Sequence, residues 1–355
     1  MQSFIYNALP SRVIFGSGTI SKLKAEIERA NCRRALLIST PEQAEALATI
    51  TDSIGALAAG TFTQAAMHTP TDVTEHALSK VQECGADCTV SFGGGSSTGL
   101  GKAIALRTDL TQIAVPTTYA GSEVTPIIGE TKDGVKVTQR TLKVLPEIVI
   151  YDVDFTLSLP QRLTVTSATN AIAHAVEALY AEDRNPVISM MAEQAIGALG
   201  RALPAIASDP HDRGARAEAL YGAWLCGVCL GSVGMALHHK LCHVIGGTFD
   251  LPHADTHTVI LPYAMAYNAK AAPEADAAVA RTLGGNDGTS ALVALATRLG
   301  SPKSLQSLGM PESGIDRAAD LAVQNPYWNP RPIERNAIRK LIAAAWAGDP
   351  PASLI

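Results

Sequence analysis

Histidines at helical spacing are the first residues in this chain whose types and positions could do chemistry. Asn170 and His174 lie four apart in a helix-like stretch, which puts both on one face. His239 and His243 repeat the spacing, and His253 follows in Leu251-Pro252-His253-Ala254. Such a set can ligate a metal or move protons. The plainer reading of any single member is a satisfied core histidine, and the clustering argues against that for the set. His238 adjoins His239 but points about 100° away on a helix, so it is left out.

Two loops carry a second kind of signal. Phe92-Gly93-Gly94-Gly95-Ser96-Ser97 follows a strand and precedes the helix-like Leu100–Leu106, with Lys102 one turn in. Three glycines let backbone approach a ligand closely, and the N–H groups of a helix start can hold a phosphate. The sequence is neither the G-x-x-x-x-G-K-[ST] nor the G-x-G-x-x-G pattern, and a tight strand–helix turn is the alternative. Pro116-Thr117-Thr118-Tyr119-Ala120-Gly121-Ser122 also follows a strand, where open α/β sheets bind ligands.

Lys136, Arg140 and Lys143 form a cationic run after the turn signal Asp133-Gly134, either a solvated face or partners for carboxylates. Arg331 and Arg335 have the same two readings. Cys226 and Cys229 sit in an apolar helix with no second pair, which argues for burial over zinc.

The elements that must position these residues fall into two textures. Arg34–Ser39, Asp87–Phe92, Ile113–Val115 and Glu147–Tyr151 read as strands, with helical spacing in Asp72–Cys84 between two of them. Alternation of this kind implies a mainly parallel sheet, Rossmann-like, over residues 1–158. From 159 to 355 the pattern is Ala/Leu-rich and helical, and Pro204, Pro252, Pro262 and Pro302 read as helix boundaries. The fold class expected is therefore α/β followed by all-α, with a ligand between the two parts.

Of 355 residues, 47% are hydrophobic and 17% charged, enough for a large core. Lys plus Arg total 28 against 33 for Asp plus Glu, a net charge of −5, which gives no general attraction to nucleic acid. Six cysteines do not make a disulfide framework in a chain of this length and agree with a reducing cytoplasm. The start lacks a signal-peptide pattern. Ala219–Leu237 carries no charge but holds several glycines and runs into His238 and His239, so it reads as a buried helix rather than a membrane span.

Taken together, IYNALPSRVIFGSGT, FGGGSSTGLGKAIAL, VPTTYAGSEVTPI, TNAIAHAVEALYA and GMALHHKLCHVIGGTFDLPHADTHTVILP resemble the iron-containing alcohol dehydrogenase superfamily. Within it they are most similar to its maleylacetate reductases. The resemblance runs nearly end to end and implies a dehydroquinate synthase-like pair of domains. It also implies that Gly93, Gly94, Gly95 and Ser96 cover the pyrophosphate of NADH or NADPH, with Thr117, Thr118 and Ser122 nearby. Ser39-Thr40 stands where an Asp grips an unphosphorylated ribose, so both cofactors are expected.

In metal-bearing relatives an Asp and three His hold the ion. The matching positions here are Asn170, His174, His239 and His253, and His243 matches a further active-site His. Neutral Asn170 replaces the only anionic ligand, so no metal is expected. Gly99 stands at the usual Asp of GGGSxxDxxK, and VPTTYAGSE is one residue shorter than VPTTxGTGSE, as in the reductase branch.

The implied reaction is NAD(P)H-dependent reduction of the maleylacetate double bond to 3-oxoadipate, in aromatic-ring degradation. The cluster of His174, His239, His243 and His253 is expected to donate hydrogen bonds or a proton, with His243 the principal proton donor and His239 or His253 helping. Asn170, Lys136, Arg140 and Lys143 are expected at the dicarboxylate, and a homodimer is expected through residues 3–7. The alternatives are a metal-dependent alcohol or glycerol dehydrogenase, a lyase similar to 3-dehydroquinate synthase, and a non-enzymatic binding protein.

Overall fold

Ala35-Leu36-Leu37-Ile38 is buried at every position, as a strand covered on both faces must be. A computed structural model describes residues 3–133 and 135–351. They divide into an α/β unit, residues 8–159, and a helical unit, residues 160–351 joined by residues 3–7.

The α/β unit runs β1 (Arg12–Gly16), α1 (Leu23–Arg29), β2 (Ala35–Ile38), α2 (Ala44–Ile54), β3 (Ala58–Phe62) and α3 (Thr71–Cys84). It continues with β4 (Cys88–Gly93), α4 (Gly95–Thr108), β5 (Thr111–Pro116), the hairpin β6 (Ile127–Lys132) and β7 (Val135–Arg140), and β8 (Ile148–Asp152). Six strands form a wholly parallel sheet in the order β1-β8-β5-β4-β2-β3. Alternate residues serve opposite faces. Leu37, Val90 and Ile113 pack with Leu23 and Ile27 of α1 and Leu47 and Ile50 of α2. Leu36 and Ile38 pack instead with Val81 of α3 and with Leu100 and Ile104 of α4. Each such side chain contributes about 1.5–3 kcal/mol on full burial. From β2 the chain moves outward to β3, then returns to β4 and proceeds the other way. The strand order therefore reverses between β2 and β4, and their carboxyl ends flank the crevice where such sheets take ligands.

Of the turn signal after β6, Asp133 takes φ 50°, while Gly134 lies outside the described residues.

The helical unit comprises α5 (Gln161–Leu179), α6 (Pro186–Ser208), α7 (Arg213–Ser232), α8 (Leu237–Phe249), α9 (His253–Asn268), α10 (Pro273–Leu283), α11 (Gly288–Arg298), α12 (Gly314–Ala322) and α13 (Arg335–Ala347). Leu241 and Ile245 of α8, Ile260 of α9, Ile315 of α12 and Leu341 of α13 share one core. The uncharged stretch becomes the buried end of α7, and Cys226 and Cys229 are buried free thiols within it. Among the described residues no single helix is long and apolar enough to cross a membrane; α7 and α8 pass together but are bent by 96°.

Two of the four prolines do not bound helices. Pro204 lies inside α6 and Pro262 inside α9, whereas Pro252 caps α9 as expected. A helical proline forfeits one backbone hydrogen bond. Helix α9 is buried without a break from Asp255 to Asn268, so packing on every side outweighs that loss.

Candidate functional site

The first part of the site is built at the β4–α4 junction. Gly93 ends β4 at φ 140°, and a Cβ there would run into Gln43 Oε1 and Ser97 Oγ. Gly94 is the N-cap of α4 and makes no side-chain cap, so the first N–H groups of the helix have no capping oxygen. A Cβ on Gly94 would press on Thr118 at 3.0 Å, whereas Gly95 opens onto free space. Ser96 is half-buried beside it. An uncapped helix start at the reversal of strand order is a ready anion site, and the cradle fits a dinucleotide pyrophosphate.

The neighbouring loops are tied to this junction. Thr117 donates its N–H to the Gly93 carbonyl at 3.0 Å, and its Oγ1 accepts from Gln43 Nε2 at 2.8 Å. Ser122 contributes its carbonyl rather than its hydroxyl. Lys102 is fully buried, and its Nζ donates to the carbonyls of Ser122, Thr125 and Ile127 at 2.6, 2.8 and 2.7 Å and to Thr125 Oγ1 at 3.0 Å. It is a clamp between α4 and the loop after β5, not a phosphate ligand. Burial pushes Lys102 down to about 7, opposed by the charge of Glu123. Glu123 is itself pushed up by burial and accepts from the Tyr151 hydroxyl at 2.7 Å.

Ser39 corrects one expectation. It follows Ile38, the last residue of β2, and is fully buried, with its hydroxyl donating to the Thr40 carbonyl at 2.9 Å, so it exposes no surface to a ribose in this arrangement.

The second part lies in the helical unit. Asn170 and His174 project from α5, His239 and His243 from α8, and His253 opens α9. The rings of His174 and His239 stack with centroids 4.9 Å apart. His243 lies 6.2 Å from both His239 and His253. The four predicted imidazoles therefore form one cluster, graded from buried His174 and His239 through half-buried His253 to exposed His243. Asn170 is buried on α5, and its Oδ1 has no hydrogen-bond partner among the described residues.

Three members were missed from sequence. His257 packs 4.4 Å from the His253 ring and 5.1 Å from His239. His238, set aside above, is fully buried, and its Nε2 lies 2.9 Å from His257 Nδ1. Burial, reinforced by the neighbouring imidazoles, holds both well below the ordinary histidine range, so they are neutral at pH 7. The third is Glu177, fully buried one turn beyond His174. Its carboxylate accepts the N–H groups of Ala236 and His238 at the start of α8, at 2.9 and 2.7 Å, and His239 Nδ1–H at 2.6 Å. His257 stands four residues after His253, and Glu177 continues the Asn170–His174 face at seven, so the spacing rule already used would have found both.

The set does not fit a resident divalent ion. Glu177 engages His239 Nδ1, and His174 Nδ1 lies 2.8 Å from His239 Nε2, so neither ring nitrogen of His239 is left for a metal. Two imidazoles on one tetrahedral ion would stand about 3.3 Å apart at ligand distances near 2.0–2.1 Å. The fourth donor, Asn170, is uncharged.

Among the described residues the predicted cations are not gathered at a buried site. Lys143 pairs with Asp109 at 2.8 Å on the surface. Arg140 is exposed on β7, and the side chain of Lys136 lies outside the described residues. Arg331 stacks 4.1 Å over the Tyr267 ring, and Arg335 bonds Asp316 and Asp320, so both have structural work.

Comparison with known proteins agrees with this layout. Residues 10–153 match the family described as iron-containing alcohol dehydrogenase, and residues 164–346 match its C-terminal part. A maleylacetate reductase of Rhizobium sp. (strain MTP-10005) is 55% identical over 99% of this chain and 100% of its own length. The crystal structure of maleylacetate reductase from Agrobacterium tumefaciens superposes with a TM-score of 0.96 at 54% identity, covering 99% of this chain and 100% of that one. An iron-containing alcohol dehydrogenase from Corynebacterium glutamicum gives 0.96 at 40% identity, covering both chains in full. The uncapped α4 start and the histidine cluster thus sit in a chain that belongs to the iron-containing alcohol dehydrogenase family, within the branch formed by its maleylacetate reductases.

Proposed function

We infer that the protein reduces the carbon–carbon double bond of maleylacetate (4-oxohex-2-enedioate) with NADH or NADPH, giving 3-oxoadipate without a metal. The observation that carries this reading within the family is the state of the histidine cluster: His239 has both ring nitrogens committed, and its expected anionic co-ligand is the neutral Asn170. Full-length similarity to proteins named for that reaction supports the substrate.

Bound at the α4 start, NADH or NADPH would supply a hydride for the alkene carbon β to the ketone. Negative charge then develops on the ketone oxygen, where donors already in place are worth most. His243 and His253 supply those donors, and a proton reaches the carbon between ketone and new C–H bond. His243, exposed at the solvent end of the cluster, is suited to deliver that proton and recover it from water. Asn170 is proposed to hydrogen-bond the substrate, and Lys136 and Arg140 to draw in its carboxylates. Lys143 is given no such role, because Asp109 already holds it. The protein is proposed to act as a homodimer in the cytoplasm, where its six buried thiols stay reduced, and to need neither nucleic acid nor membrane.

The test is loss of reduced-nicotinamide absorbance with fresh maleylacetate, with and without chelator, on metal-analysed protein. Turnover that survives chelation without stoichiometric metal is the expected result. Loss of activity on chelation would overturn the metal-free part, and oxidation of a simple alcohol in place of maleylacetate turnover would overturn the substrate.

A further inference from the structure

Glu177 is a buried carboxylate that the reaction as written does not use. It has no exposure to solvent, and it accepts three hydrogen bonds. Two come from backbone N–H groups at the first turn of α8, where the helix dipole favours negative charge. The third comes from His239, two residues into that helix. A carboxylate so held is fixed in place before it meets the imidazole.

We propose that Glu177 is the positioning residue of the reduction, setting the tautomer of His239 and through it the direction in which His174 can donate. An ionised carboxylate only accepts, so the 2.6 Å contact requires the hydrogen on His239 Nδ1. With its hydrogen on Nδ1, an uncharged His239 imidazole presents a lone pair at Nε2. His174 Nδ1, 2.8 Å away, must be the donor in that pair. The order Glu177, His239, His174 is thus a chain of hydrogen bonds with one polarity. It leaves the α5 imidazole oriented by the α8 imidazole, as a buried acid orients the base of a catalytic triad. A glutamine here has a carbonyl oxygen and an NH2 on the same frame. The two backbone N–H groups and the imidazole together need acceptors at both ends, so its NH2 leaves one of them unsatisfied or turns His239 to the other tautomer.

This rests on the reductase reading, and the experiment separates the two. In histidine-labelled protein without substrate, the His239 Nδ1–H is expected as a far-downfield proton resonance coupled to nitrogen. It should vanish in His239→Gln, move upfield or vanish in Glu177→Gln, whose neutral amide is the weaker acceptor, and remain far downfield in Glu177→Asp. With maleylacetate, Glu177→Gln is expected to lose about 10²–10⁴-fold in kcat with little change in KM, and Glu177→Asp to recover part of it. A resonance left at its wild-type position in Glu177→Gln overturns the proposal, as does a wild-type spectrum without one that His239→Gln removes. A Glu177→Gln enzyme altered only in KM overturns it too. Should Glu177→Gln not fold, the wild-type and His239→Gln spectra still decide. Absence of maleylacetate turnover in the wild type would overturn the reductase reading while leaving the resonance as the test of Glu177.

Discussion

His243 and His257 stand four residues on from His239 and His253, yet one is exposed and the other fully buried. That difference assigns their work. An imidazole held neutral by burial can pack and orient, whereas one open to water can lose a proton to substrate and regain it from solvent. His243→Ala is therefore expected to lower kcat about 10²–10⁴-fold. Its unfolding free energy should stay within about 0.5 kcal/mol of wild type, because the side chain is exposed. Steady-state kinetics beside urea unfolding would check both, and unchanged turnover would remove His243 from the reaction. His243 was legible from its spacing to His239, whereas His257 was missed although the same spacing from His253 reaches it. His238 was not legible, because the 100° rule says which way a side chain points but not whether another helix lies there. Here α9 does, and His257 meets it.

At the scale of elements, the strands with continuous apolar runs were plain in the sequence, and β1 and β3 were not. Strand β3 is Ala-Ala-Gly-Thr-Phe at the sheet edge, with weak strand propensity and only Phe62 buried, so register with β2 holds it rather than its own residues. Likewise α4 begins at Gly95, well before the apolar spacing announces it, because glycines and serines hide a helix start whose purpose is to stay uncapped. That junction makes a sharp prediction. Gly93→Ala puts a Cβ against Gln43 and Ser97 at φ 140°, a conformation that L residues rarely adopt. The strained backbone should cost about 1–3 kcal/mol and displace the first N–H groups of α4. Urea unfolding should show the loss of stability, and the KM for NADH should rise more than that for maleylacetate. An equal rise in both would mean that the junction does not hold the cofactor.

For the whole molecule, the surface carries an apolar stretch that a single chain leaves uncovered. Phe4, Ile5 and Tyr6 are 45%, 82% and 38% exposed, although chains normally bury aromatic and β-branched residues when they can. Strand β1 is an edge of the six-stranded sheet, pairing with β8 on one side only, and Phe15 on it is 38% exposed. An unprotected edge and an extended apolar segment are each a template for another chain, and in the proposed homodimer a second copy of this one would supply both at once by two-fold symmetry. Light scattering should give twice the 37.1 kDa of one chain at micromolar concentration. Ile5→Asp should weaken that association, since a carboxylate then has to be buried without a partner. A monomeric wild type would leave the apolar stretch without a second copy to cover it and would sink the dimer. A dimer indifferent to Ile5→Asp would place the interface elsewhere on the molecule.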